Sequence, residues 1–215
     1  MALWALLIWA DKKKKTWLYL SAIMLGFAIS TKLLALGSLL IFTILIVYSF
    51  WNDKKTRLKY QYTSILVYWF ISSGIVLPWF IFSFVHTGNP VYPFFTAVYP
   101  ISSSQNIFSL STFFADLSRL FLFSPDPISP IYLIVLPLVF LYFVKFKPPV
   151  KMLTYYAFFT LLLWYVTPRT GGGRFILPYL SAWSILVVAV LDVVKKQKII
   201  STTIIITILF LAGIT

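Results

Sequence analysis

Apolar residues run along this chain in long unbroken blocks, and the polar positions between them are clustered rather than alternating. The blocks are Trp17 to Trp51, Ile65 to Val85, Ile131 to Val144, Leu153 to Val166 and Phe175 to Val194. Alternation with period two would predict half-buried strands, whereas continuous apolar runs of this length predict buried or membrane-crossing helices. The first block is too long for one crossing: its 35 residues would extend about 52 Å as a helix, against roughly 30 Å of hydrocarbon. A break at Ser30, Thr31 and Lys32 is therefore predicted, giving a helical hairpin whose first arm, Trp17 to Thr31, reaches about 22 Å.

Charge placement favours the same break. With the hairpin, the clusters Lys12 to Lys15, Lys54 to Lys59, Lys145 to Lys151 and Lys195 to Lys198 fall on one side, together 14 of the 18 basic residues. Lys32, Arg119, Arg169 and Arg174 are left on the other. A continuous helix would divide the same charges 10 to 7 and strand Lys32 at mid-membrane. Lysine and arginine concentrate on the cytoplasmic side of membrane proteins, so the hairpin is the expected topology.

Composition agrees: 60% of the 215 residues are hydrophobic, 11% are charged and mean hydropathy is +0.93, outside the range of soluble domains. The predicted fold class is all-α, a polytopic transmembrane helical bundle in one region, integral to the membrane and multi-pass. A net charge of +13 could point to nucleic acid, but the basic residues sit between apolar blocks and form no solvated face, so nucleic acid is excluded as a partner. Cysteine and glutamate are absent, His86 is the single histidine, and the five aspartates are scattered. No metal site or paired-carboxylate centre is predicted within the chain.

Polar chemistry gathers on the non-cytoplasmic side of this topology, where residues 86–130 form a loop. It opens with "HTGNPVYPFF", a tight rigid turn. Further on, "IFSLSTFFADLSRLFLF" places Leu110, Phe113, Phe114, Leu117, Leu120 and Phe121 on one helical face and Ser109, Thr112, Asp116 and Arg119 opposite, predicting an amphipathic helix in the outer interface. Asp116 and Arg119 are spaced to pair with each other. The short loop "TPRTGGGRF" sets Arg169 and Arg174 around three glycines at the start of a helix, where guanidinium groups and unpaired N–H groups suit an anion. Arg174 serves equally as an interfacial anchor on this reading, and Lys32 either meets an anionic partner in a wet cavity or snorkels to the headgroups. No phosphate-binding glycine loop, dinucleotide fingerprint, HExxH or nucleophile elbow occurs, and no internal repeat is evident.

Four stretches in order, "LGFAISTKLLAL", "TGNPVYPFF", "SPIYLIVLPLVF" and "GGRFILPYL", resemble the multi-pass glycosyltransferases of the GT-C superfamily. The nearest branch is the bacterial and archaeal enzymes related to protein O-mannosyltransferases and lipid A aminoarabinose transferases. The resemblance implies sugar transfer on the non-cytoplasmic face of a prokaryotic plasma membrane, from a polyprenyl-phosphate-linked donor to a lipid, glycan or protein acceptor. It also implies that Arg174 and Lys32, with Arg169 nearby, hold the donor phosphate, where fixed cations act most strongly on a developing charge. The acidic residue of the family's first outer loop, base or metal-linked acid, has no counterpart here. Asp116 and Asp126 do not stand in its place. The catalytic residue is therefore expected upstream of Met1, with a divalent metal possible only in a longer parent, and residues 1–215 alone are expected to be inactive. A non-enzymatic transporter or flippase of lipid-linked glycans is the alternative, and it predicts charged or broken helices at mid-bilayer.

Overall fold

The computed structural model describes residues 1–51, 58–96, 110–122, 128–129, 131–166 and 176–195. The regular secondary structure among those residues is all helix, with no strand, and the chain divides into two compact units, Met1–Ser103 and Ser104–Thr215. Three helical stretches, Leu33–Trp51, Tyr60–Thr87 and Leu177–Lys195, are long and apolar enough to cross a membrane by length and composition.

The first unit holds α1 (Ala2–Lys12), α2 (Lys15–Thr31), α3 (Leu36–Trp51) and α4 (Leu58–Thr87). α1 stops at Lys13, which takes left-handed backbone geometry (φ 55°) and returns its N–H to the carbonyl of Trp9. Such a cap satisfies an orphan carbonyl and turns the chain sharply. α2 then runs back along α1, with the Ser21 hydroxyl donating to the carbonyl of Ala2 at 2.9 Å. It ends where the charge pattern predicts: Lys32 is extended (φ −147°, ψ 111°), and one turn of 3-10 helix, Leu33–Ala35, redirects the chain into α3. That this is a reversal is shown at the far end, where Lys13 Nζ reaches the Ser49 hydroxyl at 2.6 Å and its carbonyl at 3.2 Å.

α4 runs parallel to α2 and antiparallel to α3. Tyr68 meets Ser21 at 3.0 Å, the Ser72 hydroxyl donates to Ala22 at 3.1 Å, Trp69 donates to Thr43 at 2.9 Å, and Tyr60 stacks edge-on against Phe50. Gly26 makes the α2–α4 approach possible, because a Cβ there would stand 2.9 Å from both the Ser72 carbonyl and the Ile75 Cβ. Small residues at such a crossing let backbones touch, which is how helices associate where no water drives them together. Gly26→Leu should cost about 1–3 kcal/mol, since a backbone carbonyl cannot step aside. Gly74 has open space around its Cβ, so Gly74→Leu is the matched control in a detergent melting experiment. Equal melting of the two variants would contradict this crossing.

The second unit holds α5 (Leu110–Leu122), α6 (Ile131–Tyr142), α7 (Pro148–Val166) and α8 (Leu180–Lys195). α7 doubles back on α6, with ring centroids of Phe140 and Phe158 at 6.3 Å and of Phe143 and Tyr155 at 5.4 Å. α8 runs in the same direction as α6, since Tyr132 and Ser184, both near helix starts, share a 3.0 Å hydroxyl contact. α5 lies across the end of this bundle where α6 and α8 begin and α7 finishes. Phe121 packs on Tyr132 and Trp183 at 6.1 and 6.0 Å, and Phe113 packs on Tyr165 at 5.1 Å. Leu120 and Phe121 are buried and Arg119 is exposed, as its amphipathic pattern predicts. Phe114, predicted to share the covered face, is exposed instead. At that level of α5 the contact with the bundle is made by Phe113 on Tyr165, and Phe114, about 100° further round the axis, is left uncovered.

Candidate functional site

Lys32 sits at the apex of the α2–α3 hairpin and is exposed. Its backbone is fully used: the N–H donates to Ala28 at 3.0 Å and the carbonyl accepts from Ala35 at 2.9 Å. The neighbouring hydroxyls turn back onto α2, Ser30 donating to Gly26 at 3.0 Å and Thr31 to Ala28 at 2.8 Å. Cationic chemistry at the apex therefore rests with the Lys32 ammonium.

Depth is set by the α2–α4 register. Ile75 stands beside Gly26. From that level the chain advances about 9 Å to Lys32 but about 18 Å to Thr87 at the end of α4. Lys32 is thus recessed by about 9 Å below the terminus of its longest neighbour.

Beyond α4 the "HTGNPVYPFF" stretch forms the rigid turn its prolines and glycine predict. Gly88 takes a positive φ of 71° and donates its N–H to Phe84 at 2.8 Å. Asn89 organises the residues on either side of it. Its side-chain carbonyl accepts from Val91 N–H at 3.0 Å, its amide donates to Phe94 at 2.7 Å, and its backbone carbonyl accepts from the hydroxyls of Ser83 and Thr87. The Tyr92–Pro93 bond is cis, and Tyr92 and Phe95 present exposed rings.

Arg169, Arg174 and the glycines between them lie outside the described residues, as do Asp126 and the Lys54 to Arg57 group. The phosphate pair expected of Arg174 with Lys32 is therefore not part of the described geometry. On α5, Asp116 is half-buried and Arg119 exposed. Among the described residues no cluster of three histidine, aspartate or glutamate side chains could hold a metal ion.

The lysine pattern alone places Lys13 in a solvated basic loop, and the structure gives it a different part. Its ammonium lies 5.0 Å from the Trp9 ring and 5.7 Å from the Phe50 ring while bonding Ser49, so it clamps the α1–α2 turn to the end of α3. Cation–π contacts of this kind strengthen when desolvated. The only sequence signal is Trp9, one helical turn before Lys13; Phe50 is too distant in the chain to be paired with it by inspection. Lys15 lies over Tyr60 at 5.2 Å, so the Lys12–Lys15 cluster, the end of α3 and the start of α4 share one end of the unit. Lys32 and the Asn89 turn share the other.

No family model, curated protein or solved structure matches this chain.

Proposed function

We propose that the chain is a multi-pass integral membrane protein that serves sugar transfer from a polyprenyl-phosphate-linked donor, with Lys32 among the residues that hold the donor phosphate. The observation that carries this reading is the recessed lysine. A lysine whose backbone lies about 9 Å below the end of α4, at the end of its unit remote from the lysine cluster, suits the phosphate of a lipid whose tail stays in the bilayer. At the end of α4 near Lys32, Trp79, Phe82 and His86 form a run of ring contacts, Trp79–Phe82 at 5.8 Å and Phe82–His86 at 4.3 Å, though aromatic residues also occur mid-helix at Tyr68, Trp69 and Phe70. The positive-inside rule puts each unit's lysine-rich end on the cytoplasmic side, and Lys32 therefore on the other.

The sugar-transfer part of the reading rests on the four sequence stretches that resemble GT-C enzymes, and it assigns Arg174 and Arg169 to donor phosphate alongside Lys32. The alternative, a transporter or flippase, calls for helices broken at mid-bilayer. α4 instead runs unbroken through Pro78, and the break between α2 and α3 falls at the hairpin apex. Both features favour a fixed site at one face.

Donor binding tests this reading directly because it needs no acceptor. A charge-assisted contact in a low-dielectric site contributes about 1.5–3 kcal/mol, so Lys32→Ala and Arg174→Ala should each weaken binding of a polyprenyl-phosphate sugar by about 10- to 150-fold. Arg174→Lys should fall between wild type and Arg174→Ala, since it keeps the charge and loses the planar fork. Wild-type affinity in both alanine variants, at matched membrane levels, would move the phosphate elsewhere and leave Lys32 as a snorkelling side chain.

A further inference from the structure

The turn that joins α6 to α7 carries three lysines within seven residues, Lys145, Lys147 and Lys151, and no acidic residue occurs anywhere from Ile131 to Val166. Lys145 and Lys147 are exposed and Lys151 is half-buried. Two of the ammonium groups are held in place by rings rather than left to wander: Lys145 Nζ lies 5.3 Å over Tyr142, and Lys151 Nζ lies 5.6 Å over Phe143. The Phe143 ring is itself fixed, because it packs edge-on against Tyr155 and the next residue but two, Phe146, is buried with its N–H on the Phe143 carbonyl. α8 runs alongside α6, so Lys195 stands at this same end, with Asp192 one turn before it as the only carboxylate of α8. Immediately next to the lysines along α6 is a bare apolar skirt, with Phe140, Leu141 and Val144 respectively 58%, 74% and 82% exposed.

We infer that this turn is a binding site for an anionic phospholipid, its headgroup phosphate held by Lys145, Lys147 and Lys151 and its acyl chains lying along Phe140, Leu141 and Val144. The pairing of held positive charges with an uncovered apolar surface in the adjoining turn matches a lipid, which carries both features, better than a soluble anion, which carries one. Preorganised ammonium groups also bind with less loss of side-chain freedom than free lysines. Two direct charge-assisted ammonium–phosphate contacts at roughly 10-fold each amount to roughly 100-fold, beyond the diffuse attraction that every lysine near an anionic surface shares. The inference rests on the membrane part of the proposed function and not on sugar transfer.

The test uses the full chain in nanodiscs of phosphatidylcholine doped with increasing phosphatidylglycerol, with bound lipid counted by native mass spectrometry. Wild type should retain phosphatidylglycerol selectively. The triple variant Lys145→Gln, Lys147→Gln, Lys151→Gln should lose roughly 100-fold in apparent affinity, and the corresponding arginine variant should keep most of it. A control that removes three charges elsewhere, Lys12→Gln, Lys14→Gln, Lys15→Gln, should lose far less. Equal losses in the two glutamine variants would show diffuse surface charge in place of a built site and overturn the inference. Complete displacement of the lipid by excess inorganic phosphate would overturn it too, by assigning the lysines to a free anion. Extraction of wild type from native membranes by alkaline carbonate would remove the membrane reading itself. A chain that resists carbonate but shows no lipid preference removes this inference alone.

Discussion

Trp9→Ala should lower the stability of the chain by about 3–4 kcal/mol, read by denaturant titration in mixed micelles. The side chain is fully buried, and it meets the Phe50 ring edge-on at 5.3 Å while its face receives the Lys13 ammonium. Truncating a buried tryptophan to alanine costs about 3–5 kcal/mol in soluble cores, through lost transfer energy and the cavity left behind. Between helices in lipid the transfer part shrinks, because the surrounding hydrocarbon is as apolar as the core, so the lower part of that range applies. Coupling supplies a sharper check. Lys13→Met alone should be destabilising, and the same change in the Trp9→Ala background should cost less, because half of its aromatic seat is already gone. Additive costs would show that Lys13 draws its position from Ser49 and not from the rings.

Trp183 invites a comparison of two substitutions. It is buried among Tyr132 and Phe121, yet its indole N–H has no acceptor among the described residues. Trp183→Ala should therefore cost about 3–4 kcal/mol through the cavity under α5, while Trp183→Phe should cost about 1 kcal/mol or less. Phenylalanine keeps a ring against Tyr132 and removes a buried donor that gains nothing in return, and losing such a donor carries no hydrogen-bond penalty. A Trp183→Phe variant as damaged as Trp183→Ala would mean the N–H is bonded in the folded protein. Melting curves of both variants, with release of α5 followed by protease susceptibility, decide between these outcomes.

The elements legible in the sequence are those that one-dimensional patterns control. The Lys32 break comes from counting lysines against a fixed membrane thickness, and it needs no knowledge of what packs where. The α5 stripe is legible for the same reason: Leu120 and Phe121 fall inward at helical spacing. Partner choice is not. Gly26 sits in an apolar run whose every face looks alike, so nothing in the run itself says that α2 meets α4 through Ala22 and Gly26. Lys13 escapes the pattern because a four-lysine cluster signals a solvated loop, whereas its left-handed backbone and the distant Phe50 turn one of the four inward. Phe114 shows the limit of helical periodicity, which groups residues into one broad stripe but does not say which of two adjacent rings, Phe113 or Phe114, meets the neighbouring Tyr165. Of the candidate site, the apex position of Lys32 is readable from the chain, and its recess only through the short first arm.

Asn89 has a chemical consequence of its own. Asparagines in ageing proteins are commonly lost when the following backbone nitrogen attacks the side-chain carbonyl and closes a succinimide. Here the next residue is Pro90, which has no N–H to give up, and the Asn89 amide is held by the Phe94 carbonyl at 2.7 Å. The residue that organises the whole turn beyond α4 is thereby shielded from that route to decay, so the turn should keep its shape as the protein ages.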